Sequence, residues 1–148
     1  MMIAQQLYEG IDLGDRGHVG LITYMRTDSF NLSDNFLAQA EKVIKKEFGD
    51  KYHNGARVYK TKSKGAQEAH EAIRPTFAEY SPEDIKQYLD AKQFKLYSLI
   101  WKRAIASQMT DAQTLSTSIE IASNDEKYIF KTTGSVITFD GFIKCLGT

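Results

Sequence analysis

The sequence predicts an α+β protein in which a mainly helical region is followed by a short antiparallel β segment. Two long helices are indicated before residue 109, because apolar residues recur there at the spacing of one helix face. After Met109 the pattern changes: residues 115–121 alternate between apolar and polar with a period of two, as strands do. We therefore divide the chain into residues 1–18, 19–109 and 110–148.

The first half of the chain contains two predicted helices. The first covers residues 2–9, and Gly10 can end it. Residues 11–18 are polar, with three charges and two glycines, so we predict a loop. Ser33 can cap the second helix, which runs to about Phe48. The predicted apolar stripe of this helix consists of Phe36, Leu37, Ala40, Val43, Ile44 and Phe48.

Residues 81–84 are typical of a helix start, with a capping serine, a proline at the first helical position and acids in the first turn. One or two helices then extend to about Gln108, and we assign Trp101 to the core. The stripe comprises Phe94, Tyr97, Ile100, Trp101, Ala104 and Ile105. In the last segment we predict strands at 115–121, 128–133, 135–139 and 142–146, with turns at 123–126 and 140–141.

Two polar stretches lie between these helices. Residues 67–74 predict a short helix that Pro75 ends, with His70 exposed beside Arg74 on its polar face. A lone surface histidine is more often idle than functional, and an arginine at a helix end can simply cap carbonyls. Residues 50–66 predict a basic loop that either contacts phosphate or is merely solvated. Its basic residues are Arg57, Lys60, Lys62 and Lys64.

The composition limits the possible classes of protein. Nineteen basic residues balance nineteen acidic ones, which argues against a strongly electrostatic DNA binder that acts by itself. The single cysteine, Cys145, excludes an internal disulfide. No apolar run approaches the roughly 20 residues of a membrane span, and no signal peptide is evident. We therefore expect a soluble cytoplasmic protein without a membrane partner.

Residues 20–29 carry the most informative pattern, Gly-Leu-Ile-Thr-Tyr-Met-Arg-Thr-Asp-Ser. If this stretch is extended, Tyr24, Arg26 and Asp28 point to one side and Thr23 and Thr27 to the other. A phenol has a pKa of about 10, so a nucleophilic tyrosine needs a nearby cation. A guanidinium favours the phenolate and can hold a phosphate oxygen. The residue types fit tyrosine attack on a phosphate, although an Arg/Asp pair can also be a weak surface ion pair.

Residues 21–29 resemble the active-site segment of type IA DNA topoisomerases. A second run at residues 67–76, Gln-Glu-Ala-His-Glu-Ala-Ile-Arg-Pro-Thr, resembles another hallmark of that family, in the same order and at a similar separation. Within the family, Tyr-Met-Arg-Thr-Asp-Ser is most similar to the bacterial topoisomerase I form. Phe30 departs from the family, which usually has a small polar residue there, so the packing of that loop is in doubt.

The resemblance implies a reaction and a role for each site residue. Tyr24 would cleave single-stranded DNA by transesterification, forming a 5′-phosphotyrosyl link that allows strand passage and relaxation of negative supercoils without ATP. Arg26 would bind the attacked phosphate, and Asp28 would orient Arg26 or, as the less favoured alternative, act as a general base. His70 would bind a neighbouring DNA phosphate, and the resemblance implies the same role, less directly, for Arg74. Supporting roles fall to Thr23 and Thr27.

The family also implies parts that this sequence does not supply. Its members bind Mg²⁺ through an acidic cluster on a separate domain, whereas no Asp-x-Asp-x-Asp run occurs in these 148 residues. We read Asp12 and Asp15 as surface charges, and we predict no metal ligand in this chain. Both ends are expected to be cut, with 19–109 as the active-site domain and 110–148 as part of a larger arch-like domain. The missing metal-binding and arch domains would be partners, and the chain alone should not relax supercoiled DNA.

Two other classes of function are compatible with the sequence. One is a non-catalytic module that binds single-stranded DNA and happens to keep the motif. The other is a structural domain whose motifs serve only packing, which predicts no DNA affinity even at low salt.

Overall fold

A computed structural model describes residues 1–59 and 70–147, and it confirms the α+β class. Its regular elements are α1 (Met2–Glu9), β1 (Ile11–Asp12), β2 (His18–Val19), α2 (Asp34–Glu47), α3 (Pro82–Ile85), α4 (Ala91–Ser107), β3 (Gln113–Ala122), β4 (Ile129–Phe139) and α5 (Ile143–Leu146). Single turns of 3₁₀ helix occur at Gly14–Arg16, Asp50–Tyr52 and Lys86–Tyr88. No helix in the described part of the chain is long and apolar enough to cross a membrane.

The predicted helix starts are confirmed by their caps. Ser33 Oγ accepts a hydrogen bond from the backbone N–H of Phe36 at the start of α2, at 3.3 Å. Ser81 Oγ accepts the corresponding bond from Asp84 at the start of α3. Helix α4 begins at a cap that the sequence analysis missed. There Asp90 accepts from two backbone N–H groups while the Gln93 side chain accepts from the Asp90 N–H, which is a reciprocal capping box.

The core forms around α4. Tyr97 is fully buried and its hydroxyl donates to the Tyr80 carbonyl at 2.7 Å. Burial raises the pKa of this phenol. Trp101 is also buried, with Nε1 donating to the Ala78 carbonyl at 2.8 Å, so its assignment to the core is confirmed. Residues from all three predicted segments join this core, including Leu7, Leu13, Leu21, Ile22, Phe36, Ile44, Met109 and Cys145. The segment boundaries stay predictions.

The loop predicted at residues 11–18 is a short hairpin. Strands β1 and β2 pair antiparallel, with Ile11 opposite Val19 and Asp12 opposite His18. Asp12 Oδ1 accepts from the Gly14 N–H at 2.9 Å and stabilises the turn between them. The loop prediction was therefore wrong for the strand residues, because two-residue strands are too short to show a period of two.

The predicted helix at residues 67–74 is wrong for residues 70–74, and residues 67–69 lie outside the described ones. Residues 70–74 contain no helical turn, because the backbone here pairs with a distant segment. Ile22 and Pro75 form an antiparallel bridge, flanked by a bond from the Thr23 N–H to the Arg74 carbonyl at 3.0 Å. Arg74 is consequently buried, not exposed on a polar helix face.

The last segment contains two long strands instead of three or four short ones. Strands β3 and β4 pair from Gln113 opposite Phe139 to Ala122 opposite Ile129. Gly134 does not break β4, since it lies within the ladder opposite Thr117. All residues of β3 are exposed, so none of the described elements covers this strand. The strand predicted at 142–146 is wrong, because α5 occupies Ile143–Leu146.

Cys145 on α5 offers a direct test of this packing. It is buried, its thiol lies 3.7 Å from the Lys102 carbonyl, and desolvation raises its pKa to about 11. Because thiolate is the reactive form, we expect a thiol reagent at pH 8 to label the folded chain at least about 100-fold more slowly than the urea-unfolded chain. Equal rates would contradict the placement of α5 against α4.

Candidate active site

The segment at residues 20–29 is held in place by its first residues. The Leu21 N–H donates to the Leu7 carbonyl at the end of α1, at 2.8 Å. A Cβ atom at Gly20 would lie 2.8 Å from the Tyr8 carbonyl oxygen, so only glycine allows this close approach. Leu21 and Ile22 are buried in the core. The polar residues from Thr23 onward therefore follow a backbone segment that is fixed against α1 and the core.

Thr23 joins the two sequence motifs. Its hydroxyl donates to the Ala72 carbonyl at 2.7 Å and accepts from the Arg74 N–H at 3.0 Å. Together with the backbone bond between Thr23 and Arg74, these contacts fix residues 72–74 beside residues 21–23. The two motifs, far apart in the sequence, thus lie side by side.

Tyr24 is the exposed aromatic residue of this segment. Its side chain is 54% exposed, and its hydroxyl makes no hydrogen bond with any described residue. The ring contacts Tyr8 edge to face, with 5.4 Å between centroids and 72° between planes. The backbone then turns, because the Arg26 N–H donates to the Tyr24 carbonyl at 2.8 Å. The extended conformation considered from the sequence is therefore wrong beyond Thr23, although the hydroxyl is open to a ligand.

Arg26 contacts both Asp28 and His70. Its Nε lies 2.7 Å from Asp28 Oδ2, and its Nη1 lies 3.4 Å from His70 Nε2. Because a guanidinium can only donate, the second contact requires an unprotonated Nε2 on the histidine. The second carboxylate oxygen of Asp28, Oδ1, is buried and finds no donor among residues 1–59 and 70–147. The Arg26 guanidinium is half-exposed and can bind an anion, and Asp28 holds it in place.

Arg74, which the sequence analysis placed among the phosphate-binding residues, is directed into the protein. Nε binds Glu71, and Nη1 donates to the carbonyls of Pro75 at 3.0 Å and Thr76 at 3.3 Å. Nη2 donates to Ser33 Oγ at 3.4 Å, and the guanidinium lies over the ring of Phe36. A DNA contact by Arg74 stays a prediction. The geometry favours the alternative, in which this arginine binds carbonyls.

This geometry predicts a stability effect. Replacing Arg74 with Met removes the bonds to Glu71, Ser33 and two carbonyls, and we expect the free energy of unfolding to fall by about 2–3 kcal/mol in urea titrations. The expected loss is smaller than for a fully buried ion pair because the Glu71 side chain is 35% exposed. An Arg103→Met variant, in which the arginine is exposed, serves as the control. A fall of less than about 0.5 kcal/mol in the free energy of unfolding would show that these Arg74 contacts do not stabilise the fold.

Part of the predicted basic loop is described, and its arginine is paired. Arg57 Nη1 lies 2.8 Å from Asp111 Oδ1, and the guanidinium lowers the pKa of that carboxyl. The buried Gln108 side chain accepts from the Arg57 N–H and donates to the Arg57 carbonyl, at 2.9 and 3.1 Å. The sequence analysis missed Gln108, since a single buried amide leaves no pattern. Three of the predicted basic residues lie outside the described ones: Lys60, Lys62 and Lys64.

A cavity of about 650 Å³ opens beside Arg26 and Thr27. It lies between the residues after Tyr24, the loop that contains Arg57, the end of α4 and α5. Its described lining consists of Arg26, Thr27, Ser29, Phe30, Leu32, Arg57, Tyr59, Ala72, Ile73, Arg103, Ala104, Ala106, Ser107, Asp111, Phe142 and Leu146. The sequence analysis did not predict this cavity, because its walls come from five separate parts of the chain, residues 72–73 included.

Metal ligands are not gathered in the part of the chain that the structure describes: no group of three or more His, Cys, Asp or Glu side chains could hold an ion there. Asp12, near the motif in sequence, uses its carboxylate in the hairpin turn. The binding of Mg²⁺ by another domain of the complete enzyme stays a prediction.

Comparison with known proteins identifies the family of this chain. The family model described as DNA topoisomerase matches residues 1–148. DNA topoisomerase 1 of Rickettsia felis is 51% identical over 145 residues, and that of Xylella fastidiosa strain 9a5c is 49% identical over 144. Each alignment covers 97% of this chain but 19% and 18% of the relative, so the chain spans about a fifth of their length.

A solved structure shows the same fold. Full-length topoisomerase I from Thermotoga maritima superposes with a TM-score of 0.83 at 44% identity, over 100% of this chain and 23% of that one. The alignment covers all of the described elements, together with the described residues of both sequence motifs. On the family match and these identities, the chain belongs to the DNA topoisomerase family and is most similar to bacterial DNA topoisomerase 1.

Proposed function

We propose that this chain supplies the tyrosine side of a type IA topoisomerase active site. The observation that supports it best is the contact of Arg26 with His70, which joins the two motifs beside an exposed tyrosine into one patch, called the cationic patch because Arg26 supplies its positive charge. An exposed hydroxyl next to groups that bind phosphate is what tyrosine attack on DNA requires.

In the proposed reaction the Tyr24 oxygen forms a bond to a DNA phosphorus while the bond to the 3′ oxygen breaks. The phenol proton is finally carried by the 3′ hydroxyl, and the phosphate remains on Tyr24 as a 5′-phosphotyrosyl ester. Because one ester replaces another, the reverse attack by the 3′ hydroxyl reseals the strand without ATP. Passage of another strand between these two steps relaxes negative supercoils.

Each neighbouring side chain has a place in this proposal. Arg26 binds the attacked phosphate and stabilises the charge that develops on its oxygens. Asp28 positions Arg26 through the 2.7 Å ion pair, which we favour over a general-base role. His70 binds a phosphate oxygen, and Thr23 fixes the motifs together. Mg²⁺ is proposed to bind to another domain of the complete enzyme. We place the complete enzyme in the cytoplasm. This chain alone is proposed to be inactive in relaxation.

The test is covalent capture by a chimeric enzyme in which this chain replaces the matching 23% of Thermotoga maritima topoisomerase I. The chimera is mixed with single-stranded DNA and Mg²⁺, denatured, and examined for DNA that migrates with protein. An adduct supports the proposal. Binding of the same DNA without any adduct, while the parent enzyme gives one, would favour the non-catalytic single-strand-binding module.

A further inference from the structure

We propose that the cavity of about 650 Å³ beside Arg26 binds nucleotides of the single strand that adjoin the phosphate attacked by Tyr24, with Arg103 as the residue that holds their backbone. This inference rests on the proposed function, since it places a binding site next to the proposed cleavage site. Its occupant is single-stranded DNA, held by base stacking and phosphate contact.

The charges of the cavity favour an anionic ligand. Its described lining contains three arginines, Arg26, Arg57 and Arg103, against one aspartate, Asp111, although the whole chain has no net charge. Arg57 is paired with Asp111 at 2.8 Å, and Arg26 with Asp28 at 2.7 Å. Arg103 is exposed on α4 and forms no ion pair with any described residue. It is therefore the cation of this lining that is open to a phosphate.

The rest of the lining favours nucleobases. Tyr59 is 43% exposed, and its hydroxyl donates to the Ser107 carbonyl at 2.8 Å, which holds the ring against the end of α4. Phe142 also lines the cavity, and its backbone is held by the bond from its N–H to the Thr110 carbonyl at 3.0 Å. Aromatic faces beside arginines are the combination that proteins use for single-stranded nucleic acids, because every base has a face that can stack.

The walls are built before any ligand arrives. Gln108 bonds both backbone groups of Arg57, so the Tyr59 side of the cavity is anchored to α4. The volume lies within the roughly 300–1,000 Å³ of ordinary ligand sites, which suits one or two nucleotides. Arg26 belongs both to this lining and to the cationic patch beside Tyr24, so a strand bound at the patch can continue into the cavity.

Binding by this chain tests the proposal. The probes are a fluorescent thymidine octamer and an octamer of abasic residues with the same number of phosphates, measured by anisotropy at several salt concentrations. We expect the thymidine octamer to bind at least about fivefold more tightly than the abasic one, because stacking is lost without bases. Arg103→Ala should weaken binding about fivefold and reduce the salt slope by about 0.7.

Two further variants separate a site from general charge. Lys95→Ala removes a positive charge from an exposed position of α4 outside the cavity lining, and we expect its affinity to stay within about twofold. Tyr59→Leu removes the stacking ring without changing charge, and it should weaken only the thymidine octamer. Equal losses from Arg103→Ala and Lys95→Ala, or equal affinity for both octamers, would overturn the proposal.

Covalent capture by the chimera separates failure of this proposal from failure of the proposed function. At subsaturating DNA, Arg103→Ala should lower the adduct yield about fivefold, and the loss should disappear at saturating DNA. If Tyr24→Phe abolishes the adduct while Arg103→Ala leaves it unchanged, Arg103 does not hold the strand and only the cavity proposal fails. If the chimera gives no adduct but binding depends on Arg103 and on the bases, the nucleotide site stands without the catalytic function.

Discussion

Replacing Tyr24 with Phe in the chimeric enzyme is expected to abolish covalent capture and supercoil relaxation, with a loss of about 1,000-fold or more. The substitution removes only the hydroxyl oxygen, which is the atom proposed to bond to phosphorus. The fold should not change, because this hydroxyl bonds to no described residue and a phenylalanine ring keeps the edge contact with Tyr8. The readouts are the adduct on a denaturing gel and relaxation of a negatively supercoiled plasmid.

The matched control for this variant is Tyr128→Phe. Tyr128 is also an exposed tyrosine, at 66%, but it lies at the tip of the β3–β4 ribbon. Its loss should leave capture within about twofold, and Tyr24→Phe should leave single-strand affinity within the same range, since one hydroxyl contributes little to a phosphate-dominated interaction. Capture that persists in Tyr24→Phe would mean that another residue is the nucleophile.

Replacing Arg26 with Ala is expected to lower the rate of capture about 100- to 1,000-fold, the usual effect of removing one preorganised donor from a transition state. The side chain is 47% exposed, lies 2.7 Å from Asp28 and contacts His70 at 3.4 Å, so its loss removes the centre of the cationic patch. Rates are measured in single-turnover capture at saturating DNA, so that weaker binding does not contribute.

Three companion variants distinguish charge from geometry at this position. Arg26→Lys keeps the charge but cannot bind two partners at once, and it should recover only part of the lost rate. Asp28→Asn should cost less than Arg26→Ala, because it loosens the guanidinium without removing it. Arg16→Ala removes an exposed arginine outside the patch and should have no effect on the rate. A normal rate in Arg26→Ala would contradict the role of Arg26.

The helices could be predicted because their signals are local. Ser33, Ser81 and the apolar stripes of α2 and α4 specify caps and faces within a few residues, and the structure confirms them. The conformation of residues 70–74 could not be read locally. It depends on pairing of Ile22 with Pro75, and such a long-range contact overrides the helical spacing of Ala72 and Ile73.

The β segment shows the same limit in another form. The predicted strands at 128–133 and 135–139 are separated by Gly134, a residue type that usually weakens a strand. It is tolerated in β4 because the ribbon is exposed and nothing lies within 4 Å of a Cβ at that position. Between β4 and α5, a Cβ atom at Gly141 would lie 2.5 Å from the Thr110 carbonyl oxygen, and residue types alone do not indicate that close approach.

For the site, the motifs indicated which residues to consider but not their contacts, and the catalytic roles of these residues stay predictions. The sequence identified Tyr24, Arg26 and His70 as a group, and the structure places Arg26 against His70. It could not show that the donors of Arg74 are used inside the protein, since that depends on Ser33 and Phe36 from another element. The cavity beside Arg26 could not be predicted either, because its lining also comes from separate parts of the chain.

The most direct test of the central claim is to identify the bond between protein and DNA. The chimera is reacted with an oligonucleotide that carries different labels at its two ends, and the denatured adduct is digested with trypsin. Cleavage after Arg16 and Arg26 yields a peptide of residues 17–26, in which Tyr24 is the sole tyrosine. Tyrosine attack with a 5′-phosphotyrosyl product predicts that this peptide retains the 3′-end label on a phosphorylated Tyr24. Retention of the 5′-end label, or attachment to any other peptide, would contradict the proposed chemistry.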